Sequence, residues 1–382
     1  MPETMSPGIV FINQATGYLT IDIINRFVND FREVILITGS VRVQDTPPDP
    51  RIKIVYIGRY DRGNNLRKAV SWIKGSLRIF FLLKFRFGGY DKFYFTVPPT
   101  ACLMAPWFRG RYSVLVYDLY PEALIANGFG ERGLLYRWWA RRNRKIFAGA
   151  HRVYTLSGAM KSGIERYCPG RDVIVIPNWS AFSHLKPVRK EDNRILDSEG
   201  LAGRFIVQYS GNIGVTHNVE TLVEVAGNLK NESDIIFQII GRGERSNEIA
   251  RRIHEMTLDN CIMLPFRNDA DLFESLCAAD LAVIILDDRT PDVSIPSKLY
   301  NILSASLPVL AIASPGSGLA EMVTGHKIGE VFDKSDVRGM SRYILDLKNN
   351  SSRGEFYSAN SLKTSSLYTS ENAGRYLQSY LE

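Results

Sequence analysis

Cysteine is scarce in this sequence. Cys102, Cys168, Cys261 and Cys277 stand singly, with no C-x-x-C pair, which excludes a tetrahedral zinc module and leaves them as reduced core residues of a cytosolic chain. Long apolar runs are lacking too. The longest unbroken aliphatic and aromatic stretch is Leu281 to Leu286, far short of the ~20 residues that a spanning helix needs. The N-terminus has no basic stretch followed by an apolar run and a small-residue cleavage site, so neither a signal peptide nor a membrane-crossing segment is expected.

What the sequence does have is a divided charge. Residues 1–180 hold 26 Lys and Arg against 13 Asp and Glu, leaving 21 against 27 for the remainder, so the net charge of +7 belongs to the first half alone. Charge distribution decides what a surface attracts, and this one predicts an anionic partner for the first half. With 382 residues, 45% of them hydrophobic, the chain can bury two cores.

Short runs of Val, Ile, Phe and Tyr alternate with amphipathic stretches, the pattern of buried parallel strands covered by helices. Strands are expected at 8–12, 34–38, 52–57, 92–96, 113–117, 152–155 and 173–176, then at 205–209, 235–240, 261–264, 281–286 and 308–312. Helices are expected between the later strands at 218–229, 246–257, 269–278, 297–305 and 316–323. The polar, aperiodic segment from Pro177 to Gly203 marks a link, giving domains 1–185 and 200–352 with helices 353–382 that either cap the second domain or return to the first. The expected fold class is α/β: two doubly wound, Rossmann-like sheets facing across a cleft, with ligands at the carboxyl ends of the strands.

Three motifs lie in the second half. Ser210-Gly211-Asn212-Ile213-Gly214 follows a strand and precedes a helix, where free N–H groups and the helix dipole favour phosphate, although any tight turn also wants glycine. Gly241-Arg242-Gly243-Glu244-Arg245 follows the next strand, and its two guanidinium groups could face a diphosphate or solvent. The third is Asp292-Val293-Ser294-Ile295-Pro296-Ser297-Lys298-Leu299-Tyr300-Asn301-Ile302-Leu303. Pro and Ser suit a helix start, but a lysine in the first turn opposes the helix dipole by ~0.3–1 kcal/mol unless an anion lies beside it.

In this order, with Leu264-Pro265-Phe266 between the second and third, these motifs resemble the donor domain of glycosyltransferase family 4, and specifically its branch that builds capsular and O-antigen repeat units. Tyr117-Asp118-Leu119-Tyr120-Pro121-Glu122, Thr155-Leu156-Ser157 and Ile176-Pro177-Asn178-Trp179 are similar to that branch's acceptor domain. The resemblance covers nearly the whole chain. It implies the GT-B fold and retaining, metal-independent transfer of a sugar, an N-acetylhexosamine or deoxy derivative, from a UDP-sugar to a polyprenyl-diphosphate-linked saccharide, with no cofactor beyond the donor. By the same resemblance Gly211, Asn212, Ile213 and Gly214 give backbone donors to the diphosphate, Lys298 neutralises leaving-group charge, Ser297 lies near the phosphates, and Pro265 and Phe266 flank the base. Gly17 lets its loop approach the donor, Pro98 and Pro99 line a cleft-facing loop, and Asp118 and Glu122 stand where an acceptor hydroxyl is oriented or deprotonated. The chain departs from the family at Asn301 and Val293, where many members have Glu, so the charge-assisted grip on the ribose is weaker. It also lacks an Arg/Lys pair after the first donor strand, leaving Lys298, Arg242 or Arg245 to supply positive charge.

Between Leu66 and Phe87, cations including Lys74, Arg78 and Lys84 interleave with Trp72, Phe81 and other large apolar residues, and Arg137 to Lys145 repeats the theme with Trp138 and Arg141. Such helices are either core helices with a solvated basic face or contacts to an anionic membrane, here the inner face of the cytoplasmic membrane. No RNP, KH or helix-turn-helix pattern supports nucleic acid as the partner. Two alternatives to transfer remain from sequence: a sugar-nucleotide epimerase of similar fold, and a non-catalytic scaffold.

Overall fold

A computed structural model of the chain describes residues 8–61, 65–125, 133–214, 217–286 and 295–382. The apolar runs of the first half form β1 (Ile9–Ile12), β2 (Val34–Thr38), β3 (Lys53–Tyr56), β4 (Asp91–Phe95), β5 (Tyr112–Val116), β6 (Val153–Thr155) and β7 (Val173–Val175). All pair in parallel, in the order β3-β2-β1-β4-β5-β6-β7. Every residue of β1, β2, β4 and β5 is buried, which is why β1 and most of β2 read as apolar runs rather than alternating ones. Strand order reverses between β1 and β4, so the crevice for a ligand opens beyond their carboxyl ends.

The second sheet contains β8 (Phe205–Asn212), β9 (Ile235–Arg242), β10 (Cys261–Leu264), β11 (Leu281–Ile285), β12 (Val309–Ile312) and β13 (Gly329–Phe332). It is also parallel, in the order β10-β9-β8-β11-β12-β13, and reverses between β8 and β11. The expected doubly wound α/β architecture is thus present twice. β13 and the helix Val337–Asn349 lie outside the elements expected from sequence. β13 opens on a glycine, which reads as a breaker, yet a Cβ on Gly329 would stand 1.8 Å from the Val309 carbonyl oxygen. The strand needs glycine to pair at all.

The chain divides into two units. The first holds the residues to Ala181 together with Ser370–Glu382, and the second the described residues from Phe182 to Thr369. From Phe182 onward the segment expected as a link is ordered within the second unit: Asn193 caps the helix Arg194–Ser198 and donates to the Glu274 carbonyl at 2.9 Å. The C-terminal helices divide between the units. Ser351–Ser365 belongs to the second, where Ser361 donates to the Leu307 carbonyl at 2.7 Å. Gly374–Leu381 belongs to the first, with Tyr376 and Tyr380 fully buried among Phe27, Phe93 and Tyr154, and the Tyr380 hydroxyl donates to Asp91 Oδ2 at 2.7 Å.

Candidate functional site

In the second unit, the carboxyl ends of the strands line up in the order β10, β9, β8, β11. Phe266 follows β10, Arg242 ends β9, Gly211 and Asn212 end β8, and Lys298 opens the helix that follows β11. The structure therefore brings the donor-side candidates Phe266, Arg242, Gly211 and Lys298 to one edge, at the reversal of strand order. Arg242 lies over the exposed Phe266 ring, 5.5 Å from its centre. Pro265 beside it is exposed, as is Ser297, whose side chain makes no capping bond to the helix Lys298–Ser304. Asn301, one turn further on, is half-buried. Asp292, Val293 and Ser294 lie outside the described residues.

Lys298 is the centre of this edge. Its Nζ lies 4.2 Å from the centre of the fully buried Tyr209 ring, and a Cβ on Gly211 would stand 3.2 Å from it. Part of the side chain still meets solvent, but the ammonium end points inward, and burial pushes its pKa down to about 7. Among the described residues no carboxylate lies in ion-pair range of it. Sequence reading missed Tyr209, whose only signal was an aromatic residue two positions before the glycine turn.

Two expectations about the glycine motifs need correction. β8 does not end at 209 but runs to Asn212, pairing Gly211 with Gly241 and Asn212 with Arg242. The Ile213 N–H donates to the Arg242 carbonyl at 3.0 Å, so this amide is used by the fold and not offered to a phosphate. A Cβ on Gly241 would stand 1.9 Å from the Gly211 oxygen, and one on Gly243 2.1 Å from the Ile213 oxygen. Close strand approach explains both glycines. Gly214 is half-buried with the Asn212 amide nitrogen against it. Arg245 is also committed, pairing with Glu220 at 2.6 Å and Glu248 at 2.8 Å, which leaves Arg242 and Lys298 of the three expected cations.

In the first unit, Asp118 follows β5 and is fixed by Thr96 at the end of β4, whose hydroxyl accepts from the Tyr117 and Asp118 amides at 3.0 and 3.3 Å. Surrounding protein raises the Asp118 carboxyl above its ordinary range while Lys68 pulls it down. The residue is nonetheless exposed, and that hydration is the stronger constraint, so the carboxylate can still form. Glu122 is different. Its Oε1 accepts from the Tyr136 hydroxyl at 3.3 Å and from the Tyr167 hydroxyl, and its Oε2 is buried without a partner among the described residues. This carboxylate ties two tyrosines together, a structural role beside the catalytic one expected of Glu122.

Gly17 begins the helix Tyr18–Phe27 in extended backbone (φ −120°), and nothing lies within 4 Å of the position a Cβ would take. Neither conformation nor packing within the chain requires glycine there. Of the residues expected at a membrane or acceptor, Lys74, Arg78, Phe81, Lys84, Trp138 and Arg141 are exposed, whereas Pro98, Pro99 and Trp72 are buried. Trp72 packs between Tyr60 and Tyr120, its ring centre 6.3 and 5.6 Å from theirs, so it faces the fold and not a lipid surface. Pro98 and Pro99 instead start the short helix Pro99–Cys102. Among the described residues no helix is long and apolar enough to cross a membrane, and no three His, Cys, Asp or Glu side chains converge to hold a metal ion.

Residues 192–363 match the family described as glycosyl transferases group 1. Over 242 residues the chain is 26% identical to WbjE of Pseudomonas aeruginosa, named as a glycosyltransferase, covering 62% of this chain and 60% of that protein. Over 225 residues it is 27% identical to WcaI of Escherichia coli, named as a colanic acid biosynthesis glycosyl transferase, covering 56% and 55%. The chain thus spans less than two thirds of the length of either relative. Among solved structures, WaaG, a glycosyltransferase involved in lipopolysaccharide biosynthesis, superposes with a TM-score of 0.70 at 16% identity, over 96% of this chain and 99% of that one. Anabaena HepE in complex with UDP and glucose gives 0.72 at 14% identity, over 98% and 99%. These likenesses show that the two-sheet fold is that of GT-B glycosyltransferases.

Proposed function

We propose, from the match of residues 192–363 to the glycosyl transferases group 1 family, that the chain is a retaining, metal-independent glycosyltransferase of polysaccharide assembly. It moves a sugar from UDP to a polyprenyl-diphosphate-linked saccharide at the inner face of the cytoplasmic membrane. The observation that carries the donor side is Lys298, a cation in a helix first turn, held over Tyr209 against Gly211 at the reversal of strand order. An anion beside it removes the conflict with the helix dipole. With the diphosphate at Gly211 and Lys298, a base beside Phe266 and Pro265 follows the order of the strand ends, and Arg242 lies between. HepE, of like fold, is solved with UDP and glucose.

In the reaction the acceptor hydroxyl bonds to the anomeric carbon on the same face from which UDP departs, as the bond from that carbon to the β-phosphate oxygen breaks, so the configuration is retained. The electron pair leaves on UDP, whose growing charge Lys298 and Arg242 neutralise, and Asp118 takes the hydroxyl proton. Membrane association is supported by the helix Asn65–Phe85, which exposes Ile73, Leu77, Phe81 and Phe85 along one side, and by Trp107 and Trp138 nearby in the same unit, all at least half exposed. Phe80 contacts Trp107, and Arg142 lies over the Trp107 ring, joining this helix to Leu134–Gly149.

The test is the melting temperature with UDP, GDP and ADP for the wild type and Lys298→Ala, since a ligand of the native state raises stability by mass action. Selective stabilisation by UDP that disappears in the variant is expected. No shift with any nucleotide would move the scaffold reading to the front, and sugar interconversion without acceptor would favour the epimerase.

A further inference from the structure

Beyond the carboxyl ends of β1 and β3 the first unit holds a groove of about 430 Å³. Arg59 lines one wall, Arg67, Ser71, Lys74 and Arg78 of the helix Asn65–Phe85 line the other, and Gln14 lies between. The helix residues recur at the three- and four-residue spacing that puts them on one face. Asp61 is the one acid in the lining, and Arg59 and Lys74 have no carboxylate in ion-pair range among the described residues. Arg78 is aimed across the groove by its hydrogen bond to the Ile57 carbonyl. Gln14 is 1% exposed. Its amide nitrogen donates to the Ser71 and Gly58 carbonyls at 3.2 and 3.4 Å and so ties the helix to the loop after β3, while its Oε1 is buried without a donor among the described residues. Four cations against one acid make this groove a site for an anion.

The exposed Ile73 and Leu77 lie on the adjoining face of the same helix. We propose that this groove binds the diphosphate of a lipid-linked saccharide: the phosphates sit among Arg59, Arg67, Lys74 and Arg78, and the lipid leaves along Ile73 and Leu77. This rests on the transferase reading and names the part of the acceptor that the first unit grips. The volume lies within the range of small-ligand pockets, and charge-assisted contacts from Arg and Lys are the strong ones for phosphate.

The test uses the full chain and three probes: farnesyl diphosphate below its micelle concentration, UDP, and vesicles of phosphatidylglycerol. Binding by calorimetry is compared among wild type, Arg67→Gln/Lys74→Gln and Lys298→Ala. The groove variant should lose about tenfold or more in affinity for farnesyl diphosphate, the cost of removing charge-assisted contacts, and should keep its stabilisation by UDP. Lys298→Ala should bind farnesyl diphosphate as the wild type does. Unchanged farnesyl diphosphate binding in the groove variant overturns the proposal while leaving the donor reading intact, and loss of UDP stabilisation in the wild type alone strikes the donor reading. Equal losses for vesicles and farnesyl diphosphate would assign the groove to bulk lipid headgroups and also overturn it. Lys74→Glu, one exposed substitution, repeats the comparison if the double variant melts early.

Discussion

The Lys298 ammonium stands 4.2 Å from the centre of the Tyr209 ring, a buried cation held by an aromatic face with no carboxylate in ion-pair range among the described residues. A cation–π contact of this kind contributes on the order of 1–2 kcal/mol, less than the hydration an inward-pointing ammonium gives up. The chain therefore carries a destabilising residue at the edge where its strand order reverses, as sites that must receive a ligand often do.

Lys298→Met should raise the melting temperature of the unliganded protein near neutral pH while removing its response to UDP. A lysine whose folded pKa lies below its unfolded value costs stability at pH values below the unfolded pKa, and the cost is complete below the folded value of about 7. Because part of the side chain meets solvent, the gain is on the order of 1 kcal/mol, about 2–4 °C for a domain of this size. Thermal unfolding with and without UDP measures both effects, and a variant that melts lower without ligand would refute the argument.

The same lysine predicts proton uptake when UDP binds. Burial lowers the Lys298 pKa in the free protein and a diphosphate beside it raises that pKa again, so protons enter with the nucleotide near neutral pH. Affinity should fall as pH rises above 7, by at most about tenfold per unit. Calorimetry in two buffers of different ionisation enthalpy counts the protons. No uptake at pH 7 would mean that the lysine is already fully charged in the free protein.

Strand positions were legible because burial on both faces leaves nothing but apolar residues along β1 and β11. Partnerships were not legible. Arg245 reads like Arg242, yet Glu220, 25 positions earlier by sequence number, holds one and not the other. Trp72 reads as a membrane anchor within its basic, aromatic helix, but its ring partners Tyr60, stacked, and Tyr120, edge-on, are brought in from other segments. Glycine was ambiguous for the same reason: Gly329 and Gly241 are fixed by strand neighbours distant in sequence.

Gly17→Ala should fold and lose activity. The backbone is extended and the space for a methyl group is open, so the stability cost is that of replacing a glycine N-cap by alanine, below about 1 kcal/mol. A methyl group facing a donor approached by this loop should raise KM for the UDP-sugar at least about tenfold, the scale of a misplaced substrate. Wild-type kinetics in Gly17→Ala would mean that no substrate approaches the loop.

Phe81→Glu and Trp138→Glu should each weaken partition onto phosphatidylglycerol vesicles about tenfold or more, since each removes a half-exposed aromatic ring worth about 1.5–3 kcal/mol on burial. Binding by the wild type should also weaken with salt, because Lys84 and Arg141 are exposed cations of the same unit. Cosedimentation with vesicles at two ionic strengths reads both. Equal partition of the three proteins would remove these helices from any membrane contact.

Asp118 and Glu122, four residues apart, should separate into chemistry and structure. Asp118 is exposed and fixed only through its backbone amide, so Asp118→Asn should fold normally and lose about 100-fold or more in kcat, the usual contribution of a general base. The Glu122 carboxylate is occupied by the Tyr136 and Tyr167 hydroxyls. Glu122→Gln keeps an acceptor but gives up the charge, which should cost about 1–2 kcal/mol of stability and a few degrees of melting temperature, with kcat within a few-fold of the wild type. Melting curves and steady-state kinetics on both variants decide the assignment. A Glu122→Gln protein that melts like the wild type but does not turn over would return Glu122 to the chemistry and leave the two tyrosines without a structural reason for their contact.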